Sequence, residues 1–137
     1  MGTAVLVVEA LRFRSHEIGD WLENAGFEVL ACPGPTAPGY TCLATCGAAC
    51  PLERAADVVV LDMRLASDYA LQGTPGWELL LYYMERGNRI IALSGEEDPV
   101  HPHTDEGVTV LRRPVERRAL IDAVRSFSTR SNGTEEP

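Results

Sequence analysis

A carboxylate at the end of an apolar run is the feature of this sequence with the clearest chemical potential. Residues 58–61 read Val-Val-Val-Leu and are followed directly by Asp62. An apolar run this short, without polar alternation, is typical of a strand buried on both faces of a parallel sheet. In open α/β sheets, ligands bind at the carboxyl ends of such strands. Asp62 is therefore a candidate functional carboxylate, and the alternative is a structural carboxylate that caps a nearby loop.

A second group with chemical potential is the set of four cysteines, Cys32, Cys42, Cys46 and Cys50. The last three are four residues apart, so they share one face if residues 41–49 are helical. Three interpretations remain open: small apolar side chains that pack in the core, thiolate ligands of Zn²⁺, and a disulfide or redox switch. The spacing matches no zinc finger or ribbon.

The segments of sequence that would position these residues alternate between the apolar spacing of strands and that of helices. Strands are predicted at 3–8, 27–31, 56–61, 89–93 and 108–111. Helical spacing of apolar residues marks 15–25, with Gly26 as its stop, a helix opening at Thr74-Pro75, and a last helix from Val115. This alternation predicts a parallel five-stranded sheet in the flavodoxin-like order 2-1-3-4-5, inside a three-layer α/β sandwich.

That strand order brings four polar residues to one edge of the sheet. They are Glu9 after strand 1, Asp62 after strand 3, Ser94 after strand 4 and Arg113 after strand 5. With this order and spacing, residues 3–127 resemble the receiver domain of two-component response regulators.

The resemblance implies roles for these residues. Asp62 would accept a phosphoryl group from a histidine kinase, and Ser94 and Arg113 would contact the phosphoryl oxygens. Glu9, Asp62 and the backbone carbonyl of Arg64 would bind Mg²⁺, which such a transfer requires.

The sequence departs from the receiver pattern at several of these positions. Ala10 stands where the family has the carboxylate that binds the metal directly, and fewer oxygen ligands imply a weak Mg²⁺ site. Arg113 replaces the family's lysine, and a planar guanidinium is not equivalent to a compact ammonium. Val110 replaces an aromatic switch residue. The helix between strands 4 and 5 is predicted to be short or missing, because 96–107 contains two prolines and no apolar periodicity.

Composition and length limit the function classes. The chain has 137 residues and a net charge of −8, which disfavours binding to nucleic acid or to an anionic membrane. No signal peptide or membrane span is evident, so a cytoplasmic location is expected. We predict one domain at 1–127 with a cysteine-rich insertion at 32–51, and a flexible tail at 128–137.

Two further patterns concern partners. The helix after Pro75 is apolar around much of its circumference, which fits deep packing or, alternatively, a homodimer or partner surface. Arg112, Arg113, Arg117 and Arg118 cluster near the start of the last helix, where basic groups oppose the helix dipole. These arginines fit a solvated face or, alternatively, an acidic partner surface.

The combined expectation is a stand-alone, atypical receiver-like signalling domain, a pseudo-receiver, that acts through protein–protein contacts. Its partner would be a signalling protein, with a histidine kinase as one candidate. One alternative is a conventional Mg²⁺-dependent phospho-acceptor regulator, and another is a metal or redox sensor built on the cysteines. No enzymatic activity and no organic cofactor are expected, since no nucleotide-binding glycine loop or nucleophile elbow occurs.

Overall fold

The computed structural model describes residues 3–9, 12–32, 50–63, 75–94 and 107–134. The elements in chain order are β1 (Ala4–Val8), α1 (Arg12–Asn24), β2 (Glu28–Cys32), α2 (Pro51–Ala55), β3 (Val58–Asp62), α3 (Pro75–Glu85), β4 (Arg89–Ser94), β5 (Val108–Arg112) and α4 (Arg117–Thr134). All strand pairs are parallel, and the sheet order is β2-β1-β3-β4-β5. The predicted flavodoxin-like topology is confirmed.

Strands β1, β3 and β4 lie in the middle of the sheet, which explains their unbroken apolar sequences. Every residue of β1 and β3 is buried, whereas β2 and β5 at the sheet margins are only partly buried. A strand with a layer of helices on each face has no solvent side on which polar residues would be favoured.

The two faces of the sheet carry separate apolar clusters. One face packs against α1 and α4, with Ile18, Leu22, Leu120 and Val124 buried. The other face packs beside α2 and α3, with Leu80 and Tyr83 buried and Leu52 partly buried. The three-layer arrangement therefore follows from two independent hydrophobic faces of one sheet.

Gly26 ends α1 as predicted. Its φ is +99°, in the left-handed region that glycine adopts without steric cost. The amide of Gly26 donates to the carbonyl of Glu23, and that of Phe27 donates to Leu22, both at 3.0 Å. This pattern is a Schellman motif, which satisfies carbonyl groups at the helix end and turns the chain into β2.

The second helix begins at a proline. Residues 41–49, the predicted helical stretch of cysteines, lie outside the described residues, and the helix that the structure shows begins after them, at Pro51. Proline suits the first turn of a helix because its fixed φ is already helical and it lacks an amide hydrogen that the turn would leave unpaired. Pro51 therefore starts α2.

The last helix, α4, runs to Thr134 and so extends into residues 128–137, for which a flexible tail is predicted. Once packing of its apolar face has nucleated a helix, each added residue gains a backbone hydrogen bond, so a polar sequence can extend it. The domain bounds stay a prediction. The helix between strands 4 and 5, predicted to be short or missing, would fall in residues 95–106, outside the described part of the chain.

An ion pair joins α2 to α3. Arg86 Nε lies 2.7 Å from Glu53 Oε1, and the Arg86 guanidinium lies 5.4 Å from the centre of the Tyr82 ring. The Tyr82 hydroxyl accepts a hydrogen bond from the amide of Cys50 at 3.2 Å. The hydrogen bond to Glu53, and then its charge, raise the pKa of Arg86 above its ordinary value. These contacts fix the start of α2 against α3.

Two apolar side chains of α3 remain exposed. Leu81 is 44% and Met84 is 37% exposed. They fit the predicted partner or homodimer surface, which stays a prediction. Among the helices that the structure describes, none is both long and apolar enough to cross a membrane.

Candidate functional site

The carboxyl edge of the sheet brings Glu9 and Asp62 side by side. Val8 at the end of β1 is paired with Leu61 in β3. Glu9 and Asp62 are the residues that follow this pair, so parallel register places them on neighbouring strands at the same level. Each is only 3% exposed. The two carboxylates predicted from sequence therefore lie together at a buried edge.

The same register carries Ser94 and Arg113 to this edge. Asp62 is paired with Leu93 in β4, and Ser94, the next residue, is paired with Arg112 in β5. Arg113 follows Arg112, and its amide donates a hydrogen bond to the carbonyl of Ser94 at 2.8 Å. Ser94 is 2% exposed. Each successive strand thus places its polar residue one step further along the edge.

Arg113 turns its side chain back onto Asp62. Its Nη1 donates to Asp62 Oδ1 at 2.5 Å and to the carbonyl of Leu93 at 3.1 Å. The two side chains are 12% and 5% exposed, so this charge-assisted hydrogen bond is formed largely away from water. Arg113 therefore forms a buried ion pair with Asp62.

This geometry defines what the edge can do chemically. The guanidinium neutralises the Asp62 carboxylate, and one of the two carboxylate oxygens is already engaged in a hydrogen bond. A group transferred to Asp62, or a cation bound by it, would have to displace or share that contact. The arrangement is best suited to holding a carboxylate in one fixed position.

Two residues of the predicted site lie outside the described residues. Ala10 and Arg64, the positions that bear on the implied metal ligands, are not among those the structure describes. The structure does bring together Glu9, Asp62, Ser94 and Arg113. The structure thus shows that these four residues lie at one edge of the sheet. The roles that the resemblance implies for them stay predictions.

The cysteines divide between core and undescribed segments. Cys32 ends β2 and Cys50 precedes α2; both are buried free thiols in the apolar cluster on the α2–α3 face. Small buried thiols behave as apolar groups, which fits the core-packing interpretation for these two. Cys42 and Cys46 lie outside the described residues, so the metal and redox interpretations stay predictions.

Sequence reasoning missed the Leu93 carbonyl as a partner of Arg113. A backbone acceptor carries no sequence signal, because every residue has one and only the register decides which is within reach. The position of Arg113, two residues after an apolar run, indicated that its side chain lies at this edge.

Solved structures of known domains share this fold. A response regulator receiver domain protein from Clostridium thermocellum has a TM-score of 0.70 and 24% identity, covering 95% of this chain and 97% of that chain. A Francisella response regulator receiver domain has a TM-score of 0.67 and 18% identity, covering 95% and 99%. A receiver protein from Sinorhizobium medicae has a TM-score of 0.59 and 21% identity, covering 92% and 94%.

No protein-family model matches the sequence, and the search of curated proteins gave no match. The likeness is therefore one of three-dimensional structure at low sequence identity. It spans nearly the whole of this chain and of the three domains, and it confirms the predicted resemblance in fold. With its five-stranded parallel sheet and its polar carboxyl edge, the chain has the fold of a response regulator receiver domain.

Proposed function

We propose that this chain is an atypical receiver-like signalling domain that acts by binding other proteins, and in which phosphorylation of Asp62 is not the switch. The observation that carries the proposal is the buried ion pair between Arg113 and Asp62. In a receiver fold, Asp62 occupies the place of the acceptor by resemblance. Here a guanidinium, with two contacts of its own, already holds one oxygen of that carboxylate.

The residues of the edge would then act as a fixed structural unit. Arg113 supplies the positive charge of this unit. Its Nη1 donates to both Asp62 and the Leu93 carbonyl, so it ties the ends of β3, β4 and β5 together. A domain held in one state in this way signals through its surfaces, as a binding module and not as an enzyme.

The described residues do not fit a tight Mg²⁺ site. Magnesium prefers several hard oxygen ligands in octahedral geometry. The described part of the edge offers the carboxylates of Glu9 and Asp62, and Oδ1 of Asp62 accepts from the Arg113 guanidinium. A divalent cation would compete with this positive charge for the same carboxylate. We therefore expect Mg²⁺ binding to be weak, and no step of the proposed function uses it.

The direct test is the intact mass of the protein after incubation with acetyl phosphate and Mg²⁺. We expect no gain of about 80 Da, the mass of one phosphoryl group, because Arg113 engages the Asp62 carboxylate. Asp62→Ala is the control, and a receiver domain with a complete site serves as the positive control for the reagent. A gain that is absent in Asp62→Ala would contradict the proposal.

That contrary outcome would favour the second candidate, a conventional phospho-acceptor regulator. The observation in its favour is the grouping of Glu9, Asp62, Ser94 and Arg113 at one buried edge. In that case Arg113 would have to release Asp62 during transfer, and a histidine kinase would be the partner.

A metal or redox role of the cysteines can be tested separately. Because Cys32 and Cys50 are buried as apolar core residues, we expect protein purified under reducing conditions to contain no stoichiometric zinc. After denaturation, a thiol reagent is expected to label all 4 cysteines of the sequence. Zinc bound in a one-to-one ratio, lost together with thiol protection on chelation, would instead support the sensor alternative.

A further inference from the structure

The groove between α1 and α4 combines positive charge with apolar surface. It has a volume of about 280 Å³, and Trp21 from α1 and Ile121 from α4 contribute its apolar part. Trp21 is half-buried and Ile121 is buried. The groove lies on the sheet face opposite α2 and α3, so it is separate from both the cysteines and the exposed side chains of α3.

Three arginines line this groove. Arg117, Arg118 and Arg125 are all exposed, and all belong to α4. Arg118, Ile121 and Arg125 follow the i, i+3, i+7 spacing that puts side chains on one helix face. A chain with a net charge of −8 therefore concentrates a quarter of its 12 basic residues around one groove.

Among the described residues, no carboxylate forms an ion pair with these three arginines, and none of the three guanidinium groups makes a hydrogen bond. Asp122 lies four residues after Arg118 and three before Arg125, a spacing that permits ion pairs, but no such pair is formed.

The position of these arginines is also unfavourable for the helix itself. Arg117 and Arg118 stand in the first turn of α4, which has no acidic residue. Positive side chains there oppose the helix dipole. Sequence choices that cost local stability without a compensating contact are the ones expected at functional sites.

We infer that this groove is a docking site for an acidic peptide segment of a partner protein that carries one apolar side chain between its carboxylates. The inference deepens the proposed function by naming the partner's chemistry. Arginine recognises carboxylates through paired N–H donors. Tryptophan and arginine are also the side chains most enriched at energetically dominant positions of protein interfaces. Trp21 and Ile121 would receive the apolar side chain, and the arginines would flank it.

The test uses the whole chain and a set of twenty fluorescein-labelled peptides. Each peptide has two glutamates on either side of one central position, which runs through all amino acids, and binding is followed by fluorescence anisotropy. Peptides with central Leu, Ile, Met or Phe are expected to bind with micromolar to sub-millimolar Kd, and those with central Ser or Lys about tenfold more weakly. No binding by any member below about 1 mM would overturn the inference.

The site is assigned by a matched pair of charge reversals. Arg118→Glu changes the groove, and Arg54→Glu makes the same change in net charge at an exposed position of α2. We expect Arg118→Glu to weaken the best peptide about tenfold and Arg54→Glu to leave its Kd within about twofold, with circular dichroism confirming that both variants fold. Equal effects of the two reversals would overturn the assignment.

The same binding experiments also test two other possible occupants of the groove. Tighter binding of an octathymidylate than of any peptide would assign the groove to nucleic acid. A dimer in sedimentation velocity that is lost in Arg118→Glu would assign it to a second copy of the chain. Either result would overturn the acidic-peptide proposal. The phosphorylation assay on Asp62 does not involve the groove, so the two proposals fail separately.

Discussion

Replacing Arg113 with alanine is expected to lower the free energy of unfolding by about 3 kcal/mol, because removal of one partner leaves a buried charge uncompensated. Asp62 is 5% exposed in its side chain and would lose the cation 2.5 Å from its Oδ1. Urea unfolding at pH 7, followed by circular dichroism, measures the change. Arg112→Ala is the matched control, since Arg112 is the exposed neighbour of Arg113, and it is expected to cost less than about 0.5 kcal/mol.

A second substitution makes this test specific for the ion pair. In the Arg113→Ala background, Asp62→Asn removes the buried charge and is expected to restore part of the lost stability. The coupling energy from the double-mutant cycle should then be about 2 kcal/mol. If Arg113→Ala costs no more than Arg112→Ala, or if the coupling is close to zero, the pair does not hold the edge together.

The second large effect is a gain of phosphorylation. The double variant Ala10→Asp with Arg113→Lys is expected to gain about 80 Da with acetyl phosphate and Mg²⁺, whereas the wild type gains nothing. The aspartate would add the missing hard-oxygen ligand. A lysine ammonium keeps the positive charge but replaces the planar guanidinium of Arg113 by a compact group on a flexible stem.

Three further variants complete this experiment. Ala10→Asp alone and Arg113→Lys alone show whether the missing metal ligand or the changed cation limits phosphorylation. Adding Asp62→Ala to the double variant is expected to abolish the gain. Labelling that persists in this triple variant would mean that another residue is the acceptor. A double variant that remains unlabelled would mean that the missing ligand and the changed cation are not what prevents transfer.

The sequence alone was sufficient to predict the strands, their order and the residues at the carboxyl edge. Buried strands such as Val58–Asp62 have a continuous apolar sequence, and the alternation with helices leaves few topologies for a parallel sheet. Gly26 marked the end of α1 because a left-handed residue is needed there. Helix bounds were less predictable: α2 begins at Pro51, whose fixed φ suits a first helical turn, and α4 extends through polar residues to Thr134.

Only the tertiary structure decided which side chains meet. Periodicity along a chain encodes burial, but contact between distant residues depends on strand register and on how far each side chain reaches. The choice of Asp62 as the ion partner of Arg113 spans 51 positions and follows from such reach across β4. The groove arose in the same way, because packing of α1 beside α4 places Trp21 next to arginines almost a hundred residues later in the sequence. No local pattern of residue types contains that proximity, because it is produced by two helices that cover the same face of one sheet.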